Sequence, residues 1–106
     1  MTMDILNATR PYAVTMKGAS MAPRYWSGEA VLADPRRAPE AGHDVVVWLN
    51  AGCDSAPTAG ALVGRLRGRT PVYLELELFN PPSTFRVPTE TILAAHRAVR
   101  LAELLA

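Results

Sequence analysis

Short apolar runs separated by proline and glycine run along most of the chain and predict a mainly β domain. The segment Val72–Leu78 alternates, with apolar residues on one face and Tyr73, Glu75 and Glu77 on the other, as in a strand with one exposed face. Residues 44–49, DVVVWL, form a nearly continuous β-branched run that predicts a buried strand. Similar runs predict further strands at residues 12–16, 29–33, 61–66 and 85–87.

The segments between these strands are less regular. Residues 50–60 are small and contain proline and glycine, which predicts a long hairpin loop. Residues 89–99 are compatible with a strand or a helix, and residues 97–106 have helical composition. We divide the chain into residues 1–10, a tail or short helix, and one domain at residues 11–106.

Composition and charge narrow the classes of function. The chain has 106 residues, which suits one domain, and a net charge of +1, which argues against holding nucleic acid by bulk electrostatics. No apolar run reaches the roughly 18 residues needed to span a bilayer, and the first residues are unlike a signal peptide. One cysteine, Cys53, excludes an intrachain disulfide. We therefore expect a cytoplasmic protein, away from membranes, with no metal or cofactor.

Five landmarks occur in a characteristic order along residues 11–100. They are the segment Gly18-Ala19-Ser20-Met21-Ala22-Pro23, a Gly28-Glu29 turn with a strand leading to Asp34, Gly42-His43-Asp44 before a valine-rich strand, the strand Leu62–Leu66, and a strand ending at Asn80-Pro81. This order resembles the LexA-type self-cleaving peptidase family, which includes LexA, UmuD and the phage CI-like repressors. Bacterial signal peptidases are more distant relatives of that family.

The resemblance implies a LexA/signal-peptidase-like fold of short, strongly bent strands, with Ser20 as the nucleophile. By the same resemblance, Gly18, Met21 and Pro23 line the substrate site. In the family a buried lysine accepts the proton of the serine, and here Gly64 stands at the position of that lysine. The adjacent Arg65 cannot replace it, because a guanidinium is effectively never deprotonated in proteins.

These features together predict a catalytically impaired domain. The family cleaves a bond some tens of residues before the serine, whereas nineteen residues precede Ser20 here, with no Ala-Gly or Cys-Gly pair. Those residues also hold no DNA-binding domain of the kind found in repressors. The resemblance implies a regulatory or dimerisation module in transcriptional control. We expect a homodimer, or a mixed dimer with a full-length repressor of the same family, and no direct contact with DNA.

Two other functions are compatible with the sequence. Ser20 could act in an active self-peptidase with a non-standard base, for which the sequence offers Lys17, His43 and His96. Lys17 is expected to be solvated on the approach to the turn, and both histidines have ordinary surface or core interpretations. The second alternative is a nucleic-acid-binding module built on Arg65 and Arg67, which would share a strand face with Arg69. A solvated strand face is the simpler interpretation of these arginines.

Overall fold

The computed structural model describes residues 9–49 and 60–105. Within them the chain forms one seven-stranded sheet, and each pair of neighbouring strands is antiparallel. The mainly β prediction is confirmed. The strands are β1 (Tyr12–Thr15), β2 (Ala30–Asp34), β3 (Asp44–Leu49), β4 (Ala61–Arg69), β5 (Tyr73–Phe79), β6 (Pro82–Pro88) and β7 (Ile92–Val99); a 3-10 turn (Thr89–Thr91) precedes β7 and a short helix, α1 (Leu101–Leu105), follows it. The order across the sheet is β1-β2-β7-β3-β4-β5-β6.

Two strands run further than the sequence indicated. The strand predicted at 61–66 continues to Arg69 through an irregularity between Leu66 and Gly68. A glycine inside a strand commonly marks such a bulge. The strand expected at 85–87 begins earlier, at Pro82. β6 pairs only with β5, and an edge strand tolerates proline because one side of its backbone needs no partner.

The sheet carries a hydrophobic core on each face. Val46, at the centre of β3, packs in the first core, and its neighbours Val45 and Val47 pack in the second. All three are fully buried, which confirms the expectation for residues 44–49. The first core includes Met16, Met21, Tyr25, Val31, Ala33, Val63 and Ala98, and the second includes Leu66, Leu74, Leu76 and Val87.

A long loop between β1 and β2 closes the open side of the sheet. Its two ends are joined by hydrogen bonds from Met16 N–H to Glu29 O and from Gly28 N–H to Met16 O, each 2.8 Å. Further along the loop, the Ser20 carbonyl accepts hydrogen bonds of 2.9 Å from the backbone N–H groups of Phe79 and Asn80. Four strands lie between β1 and β5 in the sheet, so these bonds require the sheet to curl.

Some predictions fall outside the described residues. The tail or helix at residues 1–10 and the hairpin loop at 50–60 lie almost entirely there, as does Cys53. The ambiguous segment at 89–99 is described, and it forms the 3-10 turn followed by β7. No helix in residues 9–49 and 60–105 is long and apolar enough to cross a bilayer.

Candidate functional site

Ser20 lies on the loop between β1 and β2, in a turn that its neighbours fix. Gly18 has a φ of 82°, a left-handed conformation that favours glycine, and its N–H donates to Ser27 Oγ at 3.2 Å. Met21, directly after the serine, is fully buried in the first core. The turn is therefore anchored on both sides of Ser20, whose own side chain is half-buried.

A groove of about 560 Å³ opens beside Ser20. One wall comes from β1 and the residues after it, and the opposite wall comes from β3 and the start of β4. The lining is mostly apolar, and Lys17 is the only amine or imidazole among its described residues. The lining residues are Val14, Thr15, Met16, Lys17, Ser20, Trp48, Gly60, Ala61, Leu62 and Val63.

Gly64, at the position of the expected lysine, is buried on β4 opposite Val45. A β-carbon built there would lie 3.5 Å from Leu76 Cβ and 3.5 Å from the Glu77 carbonyl oxygen, which are ordinary contacts. Gly64 does not itself line the groove. Leu62, two residues along on the same face of β4, does line it. Val45 and Leu76, which lie against Gly64, belong to the second core, whereas Met16, Met21 and Val63 beside Ser20 and the groove belong to the first.

The other predicted residues of the site are dispersed. Met21 is buried beneath the turn, and Pro23 lines a different concavity with Arg24. Neither these two nor Gly18 lines the groove beside Ser20, so their contact with a substrate stays a prediction. Among the possible bases, Lys17 reaches the groove, although its side chain is exposed.

The two histidines lie away from the groove. His43 Nδ1 accepts a hydrogen bond of 3.2 Å from Glu40 N–H in the turn before β3. His96 is buried on β7, where its Nδ1 lies 2.6 Å from the Tyr12 hydroxyl. The Trp48 indole N–H donates to that hydroxyl at 2.7 Å, so one oxygen contacts both rings.

Burial shifts the pKa of both titratable side chains in this group, His96 and Tyr12. It lowers the pKa of His96 from its ordinary value, although the charge of Asp34 acts in the opposite direction. Burial likewise raises the pKa of Tyr12. No local pattern indicates this arrangement, because positions 12, 48 and 96 lie far apart in the sequence and come together only when β1, β3 and β7 form the sheet.

A second buried polar group is the carboxylate of Asp34 at the end of β2. Its side chain is 1% exposed, and it accepts hydrogen bonds from Arg36 N–H at 3.0 Å, Arg36 Nε at 3.1 Å and Arg37 Nε at 3.1 Å. The hydrogen bonds from Arg36 are the main reason that the pKa of Asp34 is lowered. The Asp landmark of the sequence thus ends its strand in an ion-paired turn.

The arginines of β4 have a carboxylate partner. Nη1 of Arg65 lies 4.0 Å and Nη1 of Arg67 lies 3.6 Å from Glu77 Oε1 on β5. This neighbour reduces the positive charge that the sequence alone suggested for that strand face. In the described part of the chain, no cluster of three or more histidine, cysteine, aspartate or glutamate residues could hold a metal ion.

The geometry defines a mainly β domain with a half-buried serine on a short turn beside an apolar groove. The chain is similar to repressor protein C of Rhizobium phage 16-3, with 34% identity over 92 residues. The alignment covers 85% of this chain and 35% of the repressor, so the chain spans about a third of that relative's length. No protein-family model matches the chain, and no solved structure matches it. The similarity to a phage repressor agrees with the coarser part of the sequence-based resemblance.

Proposed function

We propose that this chain is a regulatory module of the phage-repressor type, in which the Ser20 site is catalytically impaired. The observation that carries the proposal is the composition of the groove: a half-buried serine faces it, and its only described amine belongs to the exposed Lys17. The similarity to repressor protein C of a phage supports a role in transcriptional control.

The impairment follows from what a serine nucleophile requires. Its hydroxyl must lose a proton to a neighbouring base as it attacks. A lysine serves as that base when burial disfavours its charged form. Gly64 has no side chain, a guanidinium such as that of Arg65 does not act as a base in proteins, and Lys17 is exposed. Loss of a general base lowers the rate by about 10²–10⁴-fold.

Self-cleavage is tested by holding the purified chain at alkaline pH, where any lysine is a better base, and following its intact mass. We expect the mass to stay unchanged over days, as it should in Ser20→Ala. A product that forms in the natural sequence and disappears in both Ser20→Ala and Lys17→Met would overturn the proposal. Lys17 would then be the base, since it shares the groove with Ser20.

The regulatory part of the proposal is a dimer. Its support is the apolar surface of α1, where Leu101 is 59% and Leu105 77% exposed. Contiguous exposed apolar side chains favour association. We expect a solution mass about twice 11.5 kDa. Leu105→Glu should shift it toward the monomer, and Val72→Glu, at a site 71% exposed elsewhere, should not. A monomer at every concentration would contradict the dimer.

A further inference from the structure

A concavity of about 450 Å³ lies on the surface formed by the middle of the loop between β1 and β2, the end of β5 and the residue before α1. It is separate from the groove beside Ser20 and shares none of its lining residues. Its lining combines two guanidinium groups with two apolar side chains: Pro23, Arg24, Phe79 and Arg100. We call this surface the arginine cleft.

Both arginines of the cleft are held against aromatic rings. The Arg100 guanidinium carbon lies 4.8 Å from the ring centroid of Tyr25, which is 3% exposed and therefore a fixed support. The Arg24 guanidinium carbon lies 5.9 Å from the centroid of Phe79, and its Nε donates to Asp44 Oδ2. The two side chains are thus oriented before any ligand arrives, which reduces the entropy lost on binding.

Of the two arginines in the cleft, Arg24 has a carboxylate partner and Arg100 does not, within the described residues. Within residues 9–49 and 60–105, seven of the ten arginines have a carboxylate at ion-pair distance, and Arg24 is among them through Asp44. Arg100 has no such carboxylate in the described part of the chain. Its backbone N–H donates to Glu103 Oε1 at 3.0 Å, while its guanidinium is left to Tyr25 and solvent. The cleft therefore presents one oriented positive charge next to apolar surface.

We propose that the arginine cleft binds an acidic segment of a partner protein. A carboxylate of that segment pairs with Arg100, and an adjacent apolar side chain packs on Phe79 and Pro23. Arginine suits this role because its planar group can donate two parallel hydrogen bonds to one carboxylate. A nucleobase fits less well, since it would stack on an aromatic face, and Phe79 already packs against the first core and beneath Arg24.

This inference rests on the proposed function, because it names the chemistry of a partner for a module that acts through protein contacts. The binding proposal and the proposed function can nevertheless fail independently. Peptide binding is read from the ligand, whereas self-cleavage and dimerisation are read from the mass of the chain. If the dimer covers the cleft, the monomeric Leu105→Glu variant will bind the peptide more tightly than the natural sequence does.

The test is a titration, followed by NMR chemical shifts and calorimetry, with a blocked six-residue peptide of alternating glutamate and leucine. We expect saturable binding that weakens with added salt. The same peptide with glutamine for glutamate, or with serine for leucine, should bind at least about fivefold more weakly, since each lacks one of the two contacts. These peptides test the cleft on the unmodified protein.

Arg100→Gln should weaken binding of the acidic peptide at least about fivefold, and Arg100→Lys should weaken it less. The matched control is Arg86→Gln. Arg86 also lies over an aromatic ring, 4.4 Å from the Tyr73 centroid, but it already has Glu75 as its partner and stands outside the cleft. Equal affinity for the glutamate and glutamine peptides would overturn the proposal. So would equal losses in the two variants, or tighter binding of a mixed-sequence oligonucleotide than of the peptide.

Discussion

The hydroxyl of Tyr12 lies 2.6 Å from Nδ1 of His96 and joins the edge strand β1 to β7, which is not its neighbour in the sheet. The same hydroxyl accepts a hydrogen bond from Trp48 on β3. One oxygen therefore links three strands across the first face of the sheet. Trp48 also lines the groove beside Ser20, so the link reaches the surroundings of the serine.

Tyr12→Phe should destabilise the protein by about 1–3 kcal/mol, because it leaves the ring nitrogen of His96 and the indole N–H of Trp48 without their partner. The free energy of unfolding from urea titrations measures this effect. Tyr73→Phe is the matched control and should change stability by less than about 0.5 kcal/mol. Equal losses in the two variants would show that the link contributes little.

Stability should fall as the pH drops from about 7.5 to 5. Burial lowers the pKa of His96, so near its ordinary value of about 6.5 the unfolded chain takes up a proton that the folded chain does not. The contribution is full above that value and is lost below it, by at most about 1.4 kcal/mol per pH unit. Asp34, with its lowered pKa, acts only below about pH 4.

Urea midpoints at several pH values test this dependence. His96→Gln should flatten the slope between pH 5 and 7.5. If the stability of His96→Gln still falls between pH 7.5 and 5, a group other than His96 is responsible for the dependence.

Asp34→Asn should cost about 2 kcal/mol, because the buried carboxylate accepts hydrogen bonds from two arginines and the amide cannot pair with their charges. Thermal or urea unfolding measures the loss. Glu75→Gln interrupts an exposed ion pair with Arg86 and should cost no more than about 0.5 kcal/mol. A loss as small as this in Asp34→Asn would show that the hydrogen bonds from Arg36 and Arg37 to the Asp34 carboxylate add little to the stability of the fold.

Gly64→Lys should raise the reactivity of Ser20 toward a small acylating probe by about tenfold or more, since it restores an amine at the position that the resemblance assigns to the base. The new β-carbon would lie 3.5 Å from Leu76 Cβ in the second core, so the lysine side chain must extend away from that core for its amine to reach Ser20. Mass spectrometry of the labelled serine gives the rate. Gly64→Met, of similar length without the amine, is the control. A folded Gly64→Lys in which Ser20 stays inert would contradict the assignment of Gly64.

Local patterns predicted most of the strands, and long-range contacts explain what they missed. The β-branched run at 44–49 and the alternation before Asn80 predict strands because periodicity and β-branching act on neighbouring residues. The ends of β4 and β6 depend on tertiary context. A glycine and a proline continue a strand where a bulge or a free edge accommodates them, and no local pattern reveals which strand becomes the edge.

Part of the candidate site was likewise predictable from a local motif, and part of it forms only through long-range contacts. The sequence motif marked Ser20 and its turn, and the structure places that serine beside a groove. The motif could not indicate that Trp48 and Leu62 line the groove, because they come from strands that are distant in sequence. The arginine cleft is likewise invisible along the chain, since positions 24, 79 and 100 come together only through the curl of the sheet.

The backbone oxygen of Ser20 joins the loop between β1 and β2 to the end of β5. Any event that shifts the β5–β6 hairpin, such as a protein docking against it, would pull on the residue that bears the hydroxyl without touching the groove. The position of Ser20 therefore depends on the position of the β5–β6 hairpin, through the hydrogen bonds that its carbonyl accepts.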